Sequence, residues 1–396
     1  MPRPVLELAD IFRLHGNAYR QTQRLGREHL RLMRAIELCR TAALGGHVEK
    51  CGHCDFTRIS YNSCRNRHCP KCQSLERAKW LQKRKDELLP VEYFHVVFTI
   101  PDKLSALALQ NKKAVYDILF RAASETLLTL ARDPKHLGAE IGFFAILHTW
   151  GQNLLHHPHL HCVVPGGGLD PDGKWVACRR GFFLPVRVLS RLFRRLFLTA
   201  LEKAFRKDKL HFHGDQSHLG QGAAFDGLVG ALKNCEWVVY AKPPFGGPLQ
   251  VLEYLGRYTH RVAISNQRLV AMKDGHVSFQ WKDYRQGNQS KVMKLEVGEF
   301  IRRFLLHSLP SGFQRIRHCG LLANRHRKDA LAACRRALAT PVSELLPQPA
   351  QDHRELYEAL TRRSLQQCPR CGTGVLAISE ILPPIRFPLA VVVDSS

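Results

Sequence analysis

The stretch Phe143–Pro165, FFAILHTWGQNLLHHPHLHCVVP, decides how the rest of the chain is read. Phe143–Gln152 is apolar and aromatic, and His159–Pro165 carries β-branched residues, so both predict strands. Asn153–Pro158 between them is able to turn, which predicts an antiparallel hairpin. Alternate residues of a strand face one side, so His159 and His161 project together. Two imidazoles at that spacing can chelate one divalent ion. His148 lies eleven residues before His159, and the hairpin brings it opposite His159 or His161. Three histidines leave coordination positions open for a substrate, as a catalytic metal requires. Gln152 is an alternative third ligand. His157 could replace His161, although Pro158 disfavours regular strand between them. Taken alone, a His-x-His is an ordinary histidine-bearing turn, so the argument rests on the whole hairpin.

Working outward, Phe94–Ile100 (FHVVFTI) predicts a strand closed by Pro101, and Asn111–Ala131 a helix. Gly166–Gly168 reads as a turn and Lys174–Cys178 as a short strand. Pro185 opens a helix through Phe205, with Leu189, Leu192, Leu196 and Ala200 on one face. Residues 211–234 are rich in Gly and His and read as mostly loop. Glu236–Ala241 is a strand and Leu249–Tyr258 a helix. Val262–Ser265, Leu269–Met272, Val277–Trp281 and Val292–Leu295 predict short antiparallel strands. Glu299–Leu306 and Arg325–Ala339 predict helices, as do Glu28–Thr41 and Leu75–Leu89 near the start. Strict βαβ alternation is missing, which predicts an α+β fold with a central antiparallel sheet, preceded by a helical and zinc-ribbon domain. The expected division is a helical, zinc-binding head (1–92), an α+β body (93–300) and a basic C-terminal region with a weakly ordered tail (301–396).

Composition narrows the class. With 396 residues and 45% hydrophobic content, the chain can bury a real core. That content excludes a disordered polypeptide. No run of about 18 apolar residues is present, so no membrane partner is expected. Met1–Asp10 lead straight into charged amphipathic sequence, so no secretory signal is expected and the location inferred is the cytoplasm. Lys and Arg number 59 against 34 acids, a net charge of +25. Such a field attracts polyanions, nucleic acid first among them.

Thirteen cysteines in a reducing compartment point to metal rather than to disulfides. Cys51-x-x-Cys54 and Cys69-x-x-Cys72 are two knuckles at ribbon spacing, and they predict one structural zinc held by four thiolates. Cys64 and His68 complicate this, since either could displace a named ligand or join a second site with His47 or His53. Around the knuckles, residues 56–85 carry nine Lys/Arg against Glu76 alone. A rigid zinc scaffold with a one-sign surface suits phosphate contacts, with Arg65, Arg67 and Lys71 as candidates. A second one-sign patch lies in 302–336. Cys368-x-x-Cys371 is a lone knuckle; Cys319, Cys334 and His326 are considered as its partners, but their separations follow no known ligand spacing, and the pair is left unassigned.

Tyr254 and Tyr258 in VLEYLGRYTHRVAIS (251–265) are one helical turn apart. Arg257, His260 and Arg261 crowd the same segment. A tyrosine hydroxyl can attack phosphorus if its proton is removed and the phosphate is polarised. A cation held by the histidines would do the polarising.

Three strings in order, YNSCRNRHCPKCQ (61–73), HTWGQNLLHHPHLHCVVPGGGL (148–169) and YLGRYTHRVAISN (254–266), resemble the insertion sequence 91 family. These are rolling-circle transposases of the HUH superfamily with an N-terminal zinc-binding domain. His159-Leu160-His161 stands at the family's His-hydrophobe-His position, and Tyr254 and Tyr258 at its two-tyrosine position. The spacing of His148 is similar to the third metal histidine of conjugative relaxases. The resemblance implies a single-strand DNA endonuclease and strand transferase, working with Mg²⁺ or Mn²⁺ beside the structural Zn²⁺. One tyrosine would become joined to the 5′ end of the DNA. The partners implied are single-stranded DNA at the element's ends and target, with the host replication machinery as a further candidate, in the bacterial cytoplasm and at the nucleoid. The alternatives are a replication initiator or relaxase of the same superfamily, a zinc-dependent DNA-binding regulator without catalysis, and a metallohydrolase. The last two predict no covalent DNA adduct.

Overall fold

The computed structural model describes residues 6–72, 80, 87–242, 263–283, 287, 289–339, 358, 364 and 366–385. The chain groups into two units along other lines than the consecutive 1–92, 93–300 and 301–396. One comprises Leu81–Thr259 and Arg303–Pro347; the other comprises Met1–Trp80, His260–Arg302 and Gln348–Ser396.

The first unit is built on the expected antiparallel sheet. Its strands are β3 (Tyr93–Thr99), β4 (Gly142–Trp150), β5 (His156–Pro165), β8 (Val239–Lys242) and β12 (Ile316–Gly320). Their order is β12-β4-β5-β3-β8, every neighbouring pair antiparallel. Period-two alternation sorts the side chains. Phe94, Val96 and Phe98, Phe143, Ala145 and Leu147, and Leu160, Cys162 and Val164 share one buried core. The intervening residues of these strands, His95, His148, His159 and His161 among them, point to the opposite face. Beside the strands run α3 (Ser105–Gln110), α4 (Lys112–Arg132), α5 (Val186–Arg206) and α6 (Gly222–Lys233), with α8 (Arg327–Ala337) further along. In α5, Leu189, Phe193, Phe197 and Leu201 recur every four residues and are buried in that core. Phe193 and Phe197 flank Trp237 at 5.3 and 5.1 Å. Truncating a core phenylalanine of this kind costs about 3–5 kcal/mol.

Three local expectations change here. The stretch 211–234, read as loop, contains α6. Its glycines at 222, 227 and 230 lower helix propensity by about 1 kcal/mol each. Packing outweighs them: Phe225, Val229 and Leu232 are buried, and Phe225 stacks on Phe205 at 3.9 Å. Gly166–Gly168, read as a turn, runs into strand β6 (Gly167–Leu169), paired with β7 (Trp175–Ala177). A Cβ on Gly168 would sit 2.1 Å from the Glu140 carbonyl, so close backbone approach requires the glycine. Strand β5 also begins earlier than expected and runs through Pro158; the register against β4 shifts between His148 and Trp150, where a residue without an N–H is tolerated.

The second unit holds α1 (Leu8–Thr22) and α2 (Arg27–Leu38), the hairpin β1 (Gly46–Cys51) and β2 (Thr57–Tyr61), and the meander β9 (Leu269–Lys273), β10 (His276–Asp283) and β11 (Gln289–Glu296). The meander matches three of the four short strands expected there, while residues 263–265 are not in a strand. Helix α7 (Val297–Leu306) begins in this unit. The segment expected to be a weakly ordered tail supplies β13 (Leu376–Leu382), which pairs antiparallel with β1 to make the sheet β13-β1-β2. Most of the helix expected at 75–89, and all of the one expected at 249–258, lie outside the described residues. Among the described residues no helix is long and apolar enough to cross a membrane.

Candidate functional site

The hairpin register brings the expected histidines together. His148 of β4 stands opposite His159 of β5, and His161 stands opposite Ile146 two residues along. All three lie on the sheet face turned away from the helices. One ligand nitrogen from each comes within 4.8 Å of the others, and the ring centroids of His148 and His161 are 4.4 Å apart. His148 and His161 are buried. Trp150 stacks on His148 at 4.7 Å and 20°. His157 is turned instead toward Asp102, 3.3 Å away.

Each of the two strand-β5 imidazoles is oriented through Nδ1. His159 Nδ1 donates to the His157 carbonyl at 2.7 Å, and His161 Nδ1 lies 2.7 Å from His95 Nε2. Sequence reasoning missed His95, which sits on β3 one strand over. Its only signal is alternation: in FHVVFTI, His95 faces away from Phe94, Val96 and Phe98. Burial pushes His159 down to about 4 and His95 to about 3, so both are neutral at neutral pH. A neutral imidazole ligating through Nε2 keeps its proton on Nδ1. With His161 ligating through Nε2, its Nδ1 would be the donor to His95 Nε2. Metal-ligating histidines are oriented in this manner. Three imidazole nitrogens converging on one point, two of them on rings whose Nδ1 already meets a partner, fit a divalent cation that retains open positions.

The thiols do not assemble as expected. Cys51 and Cys54 do not meet Cys69 and Cys72. One cluster is Cys39, Cys64, Cys69 and Cys72; the other is Cys51, Cys54, Cys368 and Cys371. Chain direction is the cause. After β2 the chain returns to the end of α2, where the Arg40 N–H bonds the Asn62 carbonyl at 3.1 Å, and the 64–72 loop is laid beside Cys39. Cys51 ends β1 next to β13 instead, opposite Leu376. In the first cluster, Sγ–Sγ distances are 3.5 Å (Cys39–Cys72), 3.5 Å (Cys64–Cys72) and 3.6 Å (Cys39–Cys69). A tetrahedral zinc with Zn–S bonds near 2.3 Å sets sulfur–sulfur edges of about 3.8 Å. Thiol hydrogen bonds, from Cys64 first, lower Cys39 to about 7, and those led by Cys39 lower Cys72 as well. Cys64 belongs to a C-x4-C-x2-C run that the sequence displays, whereas Cys39 stands alone at a helix end and gives no signal.

Of the expected phosphate contacts, Arg65 is exposed at a left-handed backbone position (φ 53°), while Lys71 is ion-paired with Glu7. Arg67 is half-buried. Tyr254, Tyr258, Arg257 and Arg261 lie outside the described residues.

Comparison with known proteins follows the same division. A family model described as "Putative transposase" matches residues 142–330, which include the histidine hairpin. A second, described as "Transposase zinc-binding domain", matches residues 11–100. That range contains the whole Cys39/Cys64/Cys69/Cys72 cluster and half of the other. Over 391 residues the chain is 60% identical to "Putative transposase y4qJ" of Sinorhizobium fredii (strain NBRC 101917 / NGR234), covering 98% of each chain. Over 349 residues it is 28% identical to "Transposase for insertion sequence element IS801" of Pseudomonas savastanoi pv. phaseolicola, covering 87% of this chain and 82% of that one. No solved structure matches significantly. A histidine-bearing antiparallel sheet, a zinc-binding N-terminal domain and near-full-length likeness to transposases agree, and the chain belongs to the insertion sequence 91 family of transposases.

Proposed function

We propose that this transposase cleaves and rejoins single-stranded DNA through a covalent 5′-phosphotyrosine, driving rolling-circle transposition. The observation that carries the reading is the convergence of His148, His159 and His161 on one face of the five-stranded sheet. These three residues would hold a divalent cation, which when bound supplies positive charge to polarise the scissile phosphate and to stabilise the leaving oxygen. His95 and the His157 carbonyl keep the ligating rings in one tautomer and one orientation. Magnesium is a hard ion that prefers oxygen donors, so an all-imidazole set favours Mn²⁺ over Mg²⁺.

Tyr254 or Tyr258 supplies the nucleophile. Its phenol loses a proton, the oxygen bonds to phosphorus, and the P–O3′ bond breaks. The departing 3′ oxygen takes up a proton and is left as a hydroxyl that can prime synthesis. The bond energy is conserved in the adduct, so strand transfer by a 3′ hydroxyl needs no nucleotide cofactor. The second tyrosine serves the other end of the element. A net charge of +25 draws the polyanion in, and Arg65, Arg67, Lys71, Arg257 and Arg261 are the proposed backbone contacts. The enzyme works in the bacterial cytoplasm at the nucleoid, with the host replication machinery as a further partner.

The test is incubation with Mn²⁺ or Mg²⁺ and labelled single-stranded DNA carrying the element's end. A denaturation-resistant 5′-linked complex is expected, and it disappears in Tyr254→Phe/Tyr258→Phe. Survival of the adduct in that double variant rejects both nucleophiles. Normal cleavage by His159→Ala/His161→Ala rejects the metal assignment.

A further inference from the structure

The second thiol cluster joins the two ends of the chain. Cys54 and Cys368 are 314 residues apart in sequence with Sγ atoms at 3.7 Å, and Cys51 and Cys371 are 320 apart at 3.8 Å. Both separations equal the edge of about 3.8 Å that a tetrahedral ZnS₄ unit imposes, and both are far from the 2.05 Å of a disulfide. Each knuckle turns a backbone N–H onto one of its sulfurs. The His53 N–H points at Cys51 Sγ and the Gly374 N–H at Cys371 Sγ, each at 3.3 Å. Each knuckle also abuts a strand: Cys51 closes β1 and Cys371 shortly precedes β13. Those strands pair from Gly46↔Leu382 to Cys51↔Leu376. Gly374 is required by the cluster itself, since a Cβ there would lie 2.3 Å from Cys51 Sγ and 3.3 Å from Cys371 Sγ. Cys51 and Cys368 are buried.

We propose that Cys51, Cys54, Cys368 and Cys371 form a second structural zinc site that clasps the C-terminal segment to the N-terminal domain. The ion is Zn²⁺ because four thiolates in a tetrahedral cage suit it and leave no open position for substrate. The four thiols release their protons as they ligate. The site lies half outside the range of the zinc-binding family model, which ends at residue 100. Its role follows from topology. Only three strands make the sheet β13-β1-β2, and a metal clip closing a loop of about 300 residues removes much of the unfolded chain's freedom. The sheet begun by β1 is therefore complete only when residues 368–382 have been made.

The test is zinc content of the full chain, measured by mass spectrometry in a His148→Ala/His159→Ala/His161→Ala background so that the imidazoles add nothing. Two zinc ions per chain are expected. Cys368→Ser/Cys371→Ser should hold one, and the β1 amides should lose protection from hydrogen exchange. Cys371→His, which keeps a competent Cys₃His set, should still hold two. Gly374→Val should hold one, its side chain being forced into the thiols. Should the serine variant fail to fold, Co²⁺ titration of the metal-free background chain decides the matter: two equivalents with thiolate-to-cobalt absorption support the clasp, and saturation at one overturns it. Two zinc ions in the serine variant also overturn it.

Discussion

His148, His159 and His161 meet across one hairpin, Gly142–Pro165, whereas Cys54 and Cys368 meet across 314 residues of chain. The two kinds of cluster are held by different forces. The imidazoles are mounted on the central strands of a sheet whose other face is a packed apolar core, so the sheet supports the site. The thiols sit where apolar packing is thin. The core around Cys51 and Cys368 adds only Leu376, with Cys54, Phe56 and Cys371 at its margin. There the metal supports the fold. Removing a cation should thus silence the first region and unfold the second.

The largest effect expected follows from that asymmetry. Stripping zinc with a strong chelator should abolish exchange protection in β1, β2 and β13, because structural zinc contributes apparent free energies of about 10–16 kcal/mol. The β3–β5 amides should stay protected, and loss of protection in both units together would break the contrast. Next comes the loss of His148, His159 and His161 to alanine. DNA cleavage should fall by about a thousandfold or more, since the cation is asked for several kcal/mol of transition-state stabilisation. The melting temperature of that variant should move little, as the apolar core is untouched.

Acid provides a third, smaller lever. Burial holds His156 down at about 4 and His307 at about 3. Both are neutral when folded, with His156 Nε2 at 2.8 Å from the Tyr116 hydroxyl and its Nδ1 near Ser105. A depressed imidazole pKa means that the unfolded chain binds the proton first. The stability these groups contribute is complete above about pH 6.5 and is lost as pH falls from there through about 4. The cost for His156 is of the order of 3 kcal/mol. His156→Gln should flatten the slope of stability against pH in denaturant titrations. An unchanged slope would remove His156 from this account. The smallest effect concerns His95. Replacing it with leucine deprives His161 of its acceptor and should weaken Mn²⁺ binding 10–100-fold by calorimetry. His95→Gln offers an amide oxygen at a similar reach and should recover most of the affinity. Equal losses in both variants would assign His95 to packing alone.

The same contrast explains what could be read in advance. The histidine hairpin was legible because its signal is local: a period of two, a turn between the strands, and a third imidazole at hairpin distance. The α5 helix was legible as a helix through the spacing of Leu189, Leu192, Leu196 and Ala200, but its fully buried stripe is Leu189, Phe193, Phe197 and Leu201, with the other three only partly covered. His95 was not legible, because a lone histidine in an apolar strand points nowhere until β3 is placed beside β5. The helix α6 was hidden by its glycines, and its stability comes from Phe225 meeting Phe205. The knuckle at Cys368 was visible as a motif, yet nothing near it in sequence supplied the other two ligands.

Local chemistry written along the chain thus determined the α+β character, the metal-binding character of the cysteines and the hairpin that carries the candidate catalytic ligands. Short-range periodicity sets these through side-chain direction, which each residue carries with it. Tertiary structure alone decided which thiols come together, that β13 completes the sheet begun by β1, and that His95 stands against His161. A tetrahedral cage needs sulfurs within about 4 Å in space and is indifferent to their separation in sequence. Strand pairing and chain reversal, not spacing, choose its members.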